Sequence, residues 1–131
     1  MLFTLPGTPC IYYGTEIALR GRHEWENRSC MPWDEIDSGK FSDIFSEVSL
    51  LIHLRHECQP LKSSSIEFIH HPENPRVLHY IRRAEGSEKK IAICLNCGKE
   101  DFSFTPEGKV LFSRLYNGGT ISPDGTVIYE R

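Results

Sequence analysis

Six carboxylates fall within the first forty residues of this chain: Glu16, Glu24, Glu26, Asp34, Glu35 and Asp37. Two carboxylates facing each other across a sugar ring can act as general acid and nucleophile. A solvated acidic loop has the same composition, and spacing alone does not choose between them. Arg28 lies among these acids, with Trp25 and Trp33 close by in sequence. A guanidinium and a carboxylate can hydrogen-bond sugar hydroxyls while aromatic faces cover the ring. A Glu24–Arg28 ion pair that merely staples the loop uses the same residues, so both readings stay open on the residues alone.

Two other patterns invite chemistry. Cys94-Leu95-Asn96-Cys97 has C-x-x-C spacing, but a zinc site needs two further ligands, and Cys10, Cys30 and Cys58 are scattered. A redox C-x-x-C usually opens a helix, whereas this one falls in a predicted strand, where residues three apart face opposite sides. His70-His71 borders the turn Pro72-Glu73-Asn74-Pro75 and reads as turn histidines without partners. There is no Gly-rich phosphate loop and no Ser/His/Asp arrangement. The expectation is neither metal nor cofactor.

The acidic loop must be carried by something. Upstream, Pro6-Gly7-Thr8-Pro9-Cys10-Ile11-Tyr12-Tyr13-Gly14-Thr15-Glu16-Ile17 contains an unbroken apolar run at 10–13, closed by Gly and a polar pair. Apolar residues at every position suit a strand buried on both faces, as in parallel sheets, with Glu16 at its rim. Residues 20–40 are polar and irregular, a loop long enough to suggest binding. Phe41, Ile44, Phe45, Val48, Leu51 and Ile52 then follow helical spacing, and Pro60 is expected to stop that helix. Beyond it, short runs at Ile66–Ile69, Val77–Ile81, Ile91–Leu95, Phe102–Phe104, Val110–Leu115 and Thr126–Tyr129 alternate with Gly- and Pro-rich turns, including Pro123-Asp124-Gly125. That pattern predicts antiparallel β-structure. The link Lys62-Ser63-Ser64-Ser65 marks a boundary.

The totals exclude several classes. With 131 residues, 39% hydrophobic and 25% charged, the chain is long enough for a modest core. A net charge of −3 gives no basic footprint for nucleic acid or an anionic membrane. No apolar run approaches the roughly 20 residues that span a bilayer. Five cysteines without a secretion signal read as reduced thiols in a cytoplasmic protein.

The run Leu5–Ile17, the segment Arg28-Ser29-Cys30-Met31-Pro32-Trp33-Asp34 and the helix carrying Leu51-Ile52-His53-Leu54-Arg55 together resemble the α-amylase family, in its neopullulanase, cyclomaltodextrinase and maltogenic amylase branch. The resemblance implies that residues 1–61 are the last strand, loop and last helix of an incomplete (β/α)8 barrel. Residues 62–131 would be the C-terminal antiparallel β-sandwich domain, making the chain mainly β and a C-terminal fragment of a glycoside hydrolase. The family's three catalytic carboxylates lie on earlier barrel strands, so no residue here is assigned as catalytic. The resemblance also implies that the loop holds a glucose unit of an α-glucan or maltooligosaccharide. Arg28 matches the family's Arg; Glu24 stands at its Asp position, one methylene longer; Trp25 replaces the usual Pro. A strand and helix face lacking their barrel partners lead to the further expectation of self-association.

Overall fold

The computed structural model describes residues 1–21 and 28–131. They form two compact units, one made of Met1–Gly7 with Leu54–Arg131 and the other of Thr8–His53.

The first unit is built on one six-stranded antiparallel sheet. Its strands are β1 (Glu67–Ile69), β2 (Val77–Arg83), β3 (Lys90–Asn96), β4 (Phe102–Ser103), β5 (Lys109–Tyr116) and β6 (Thr120–Glu130). The order runs β1-β2-β3-β6-β4, and β5 pairs along the other side of β6. The expected antiparallel β-structure is therefore present, as one sheet in which β6 pairs with β3, β4 and β5. β3 sits at the centre, and its unbroken run Ile91, Ala92, Ile93, Cys94 is buried at every position. Its two edges are paired: on β2, Ile81 stands opposite Ala92 and His79 opposite Cys94, while Ala92 and Cys94 pair with Tyr129 and Val127 on β6. On one face Ile81, Ala92, Cys94, Ile121, Val127 and Tyr129 make one core, closed by Ile69, Val77, Phe102, Phe104 and Tyr116.

The opposite face carries the buried residues Tyr80, Arg82, Ile91, Ile93 and Ile128. A one-turn helix, α3 (Gln59–Lys62), packs on β2 and β3 there through Leu61. The amino-terminal segment belongs to the same unit: the Thr4 hydroxyl meets the Tyr80 hydroxyl at 2.6 Å. Two buried arginines fix this segment without any carboxylate. Arg82 is 0% exposed; it donates from Nε to Ser65 O at 2.7 Å and from its terminal nitrogens to Thr4 O and Ser63 O. Arg55, 8% exposed, donates to Phe3 O at 2.9 Å, Leu5 O at 3.0 Å and Gly7 O at 2.5 Å. Four carbonyls between residues 3 and 7 thus end on two guanidiniums, which supply the donors that a neighbouring strand would otherwise provide.

Three sequence expectations are corrected. No strand forms at Cys10–Tyr13; all four residues are exposed, Tyr12 to 58%. A strand buried on both faces needs a hydrogen-bonding neighbour and a covering layer, and the described residues give it neither. Pro60 does not terminate the long helix. That helix, α2 (Ser42–Glu57), ends before an extended Cys58, and Pro60 lies in the first turn of α3, where its missing N–H is harmless. Pro123-Asp124-Gly125 does not reverse the chain but lies inside β6. There Asp124 takes φ 61° and Leu115 on β5 takes φ 51°, beside a register shift between Arg114 and Tyr116. A Cβ on Gly125 would stand 2.6 Å from Ser122 O and 2.8 Å from Leu115 O, so this bulge accepts only glycine.

The second unit contains a short 3-10 turn (Thr15–Ile17), α1 (Trp33–Asp37) and most of α2. Part of the loop expected at 20–40 is thus helical. On α2, Ile44, Val48 and Leu51 are half-buried, whereas Phe45, Leu50 and Ile52 are exposed. The predicted apolar face is only partly used.

Candidate functional site

The second unit carries the loop that sequence reasoning singled out. Gly14, at φ 84°, turns the chain out of the 10–13 segment and into the 3-10 turn. The turn closes with Leu19 N–H donating to Gly14 O at 2.8 Å. Tyr13 reaches across sixteen residues and its hydroxyl donates to Ser29 O at 3.0 Å. This tethers the backbone immediately after Arg28 to the segment that precedes the loop. Arg28 is exposed, and its charge bears on the Tyr13 hydroxyl. That phenol is raised above its ordinary value by loss of water and by Tyr12, with Arg28 opposing. The Tyr12 and Tyr13 rings lie 4.7 Å apart.

Glu24 and Trp25 lie outside the described residues, and so does their expected grouping with Arg28. Trp33, 63% exposed, opens α1. Glu35 on the same helix pairs with Lys40 at 2.5 Å, both well exposed, which favours a solvated acidic surface for α1. Glu16 differs from the other acids. It is half-buried, and its Oε2 is buried without a hydrogen-bond partner.

The cysteines of the C-x-x-C pair differ in their surroundings. Cys94 lies in the core with its thiol pushed up to about 12 by burial and by Cys97, so it stays protonated and unreactive. Cys97 is exposed just past the strand, and all five cysteines are unpaired. Among the described residues no group of three or more His, Cys, Asp or Glu could hold a metal ion. His71, expected to lack partners, does have one: its Nε2 lies 2.9 Å from His79 Nδ1. His79 Nε2 in turn lies 3.1 Å from the Tyr129 hydroxyl.

Sequence reasoning missed Arg55, Arg82 and Tyr13. A signal existed for Arg82: it alternates with Leu78 and Tyr80 on β2, so it occupies an apolar stripe. A charge at such a position has to find buried acceptors. Arg55 and Tyr13 had no comparable signal, because their acceptors are backbone carbonyls distant in sequence.

No family model matches the chain. Curated relatives do. A cyclomaltodextrinase from Bacillus sp is 37% identical over 97 residues, covering 74% of this chain and 17% of that protein. The maltogenic alpha-amylase of Bacillus acidopullulyticus is 36% identical over 107 residues, covering 79% of this chain and 17% of its own length. Among solved structures, the maltogenic amylase from S. marinus superposes with a TM-score of 0.76 at 27% identity, covering 98% of this chain and 18% of that one. A debranching enzyme from Nostoc punctiforme shares the fold with a TM-score of 0.75 at 20% identity, covering 99% of this chain and 29% of that one. The chain thus spans less than a fifth of the curated relatives' length. In sequence over most of its length and in fold over nearly all of it, this chain is related to the α-amylase family of glycoside hydrolases, in its cyclomaltodextrinase and maltogenic amylase branch.

Proposed function

We propose that the chain is the C-terminal part of an α-glucan-acting glycoside hydrolase and supplies substrate binding and stability rather than chemistry. The parent enzyme would cleave α-1,4 or α-1,6 glucosidic bonds of cyclodextrins, maltooligosaccharides or pullulan with retention, through a carboxylate nucleophile and a carboxylic acid. Neither of those groups is assigned to this chain. Arg28, with Glu24 and Trp25, holds a glucose unit. The observation that carries this reading is the tether from Tyr13 to Ser29. It fixes the backbone next to the exposed guanidinium of Arg28, the residue that the family resemblance matches to a sugar-binding Arg. A cytoplasmic location is part of the proposal and is supported by the unpaired thiols of Cys10, Cys30 and Cys97, all exposed.

The test has two arms. Incubation with maltotriose, cyclodextrins and pullulan should release neither glucose nor maltose, and reproducible release would refute the non-catalytic assignment. Calorimetric titration with maltotriose should give an affinity that falls about tenfold in Arg28→Ala, from loss of charge-assisted hydrogen bonds. An affinity unchanged by that substitution removes Arg28 from the site. A purely stabilising β-domain is the second reading, favoured by the two arginines that bind backbone alone, and no affinity for any glucan would select it. Self-association belongs to the proposal as well, supported by the exposed Phe45, Leu50 and Ile52 of α2. Light scattering should find a species heavier than the 15.1 kDa chain.

A further inference from the structure

The histidine pair of the β-domain lies outside the residues proposed to bind sugar, and its geometry is specific. His79 is 6% exposed and lies on β2 directly opposite Cys94 of β3. The His71 ring stacks on it, 16° from parallel with centroids 5.2 Å apart. Phe104 meets His79 edge-on at 5.4 Å, and Phe102 meets His71 edge-on at 5.2 Å. His71 lies in the connection between β1 and β2, and the two phenylalanines belong to β4 and the residue after it. That short strand pairs Phe102 with Ile121 and Ser103 with Thr120, and Phe104 N–H donates to Gly119 O at 2.9 Å.

Two imidazole nitrogens 2.9 Å apart can share one proton: one nitrogen donates and the other accepts. If both carry protons, two donors and two positive charges face each other with no acceptor between them. The groups around the pair offer no relief. Tyr129 from β6 is a phenol raised by burial. Cys94 from β3 is a neutral thiol. The field of Arg131 opposes a charge on His79. Glu107, which acts on Tyr129, is paired with Arg131 at 2.6 Å. Burial first, then His71, then Arg131 hold His79 down to about 4.

We infer that His71 and His79 form an acid-released latch. Their shared proton holds the β1–β2 connection and the Phe102–Phe104 segment against the sheet. A second proton opens that corner while β2, β3 and β6 stay paired. Opening a corner of few backbone bonds ahead of the core is the usual hierarchy of local unfolding.

The experiment is an NMR titration of the whole chain from pH 7 to pH 3.5, following imidazole nitrogen shifts together with amide-exchange protection. His79 should remain neutral to about pH 4. Over the same range, protection at residues 71–76 and 102–104 should fall about tenfold or more, while that of β3 holds. His71→Phe keeps a ring on the stack but removes its charge, so its corner should stay closed at pH 4. The inference is overturned if His79 titrates near 6.5, or if the corner and β3 lose protection together. It is equally overturned if a folded His71→Phe opens with the wild-type profile. The wild-type titration decides the first two points even if the variant does not fold.

Discussion

Replacing Arg82 with Met keeps an unbranched stem in the apolar face of β2 and removes the guanidinium. Three hydrogen bonds disappear, and they are not equal. The bond to Thr4 O is buried, whereas those to Ser63 O and Ser65 O are part-buried and can be taken over by water. A charged hydrogen bond contributes about 1.5–3 kcal/mol when buried, and the two wetter ones contribute roughly 0.5–1 kcal/mol each on the scale of ordinary hydrogen bonds. Against that stands the cost of burying a cation. It is visible in the Arg82 guanidinium being pushed below its ordinary value, by burial first and then by Arg55. The net loss expected for Arg82→Met is about 2–3 kcal/mol, a large part of the roughly 5–15 kcal/mol that holds a domain together. For a chain of this length the melting temperature should drop by about 10 °C. Urea unfolding followed by circular dichroism measures the loss directly, with the slope unchanged. Proteolysis near residues 1–7, which the guanidinium holds, should accelerate in parallel. If Arg82→Met unfolds within about 0.5 kcal/mol of wild type, or is more stable, the reasoning fails. The guanidinium would then be a net desolvation cost, as some buried ionic groups are when exchanged for apolar ones.

Two further outcomes follow from named contacts. Stability should fall as the pH drops from about 6.5 to about 4, because the unfolded chain accepts a proton on His79 that the folded chain refuses. Above that window His79 contributes no slope. The separation of the two values sets an upper limit of about 3 kcal/mol, and urea midpoints across that range should fall less steeply in His79→Phe. Equal slopes would remove His79 as the cause. In Gly108→Ala, the new methyl would stand 1.9 Å from Glu130 O, a backbone atom in the last register pairs of β5 with β6. A loss of about 2 kcal/mol or more is expected from the forced backbone shift; an alanine variant with wild-type melting would show that β5 can move away cheaply.

The contrast between two apolar runs shows where sequence reasoning held and where it did not. Ile91–Leu95 and Cys10–Tyr13 are both expected as strands, the first among short antiparallel runs and the second as an unbroken apolar run. The first became β3, buried on both faces between β2 and β6. The second is exposed and irregular. The residues state a preference for burial, but only partner strands can satisfy it, and those partners are in reach of one run and not of the other. The same limit applies to the site. Arg28 is a candidate through the family resemblance, whereas the tether from Tyr13 to Ser29 joins positions sixteen apart through a backbone carbonyl, which leaves no trace in residue types.

The sequence by itself determined the local alphabet of this protein. The alternation of short β-branched runs with Gly and Pro placed five strands within two residues of their bounds and the end of β6, whose start lies six residues earlier than expected, because period-two burial and turn chemistry are local properties. It also set a helix beginning near Phe41, though not its end before Cys58. Only the tertiary structure decided what the buried charges do. Arg55 and Arg82 became clasps on residues 3–7, and His71 and His79 became a hydrogen-bonded pair. Pro123-Asp124-Gly125 became a bulge rather than a reversal. In each case the deciding partner is a backbone carbonyl, a ring nitrogen or a facing strand distant in sequence, brought within a few ångströms by the sheet.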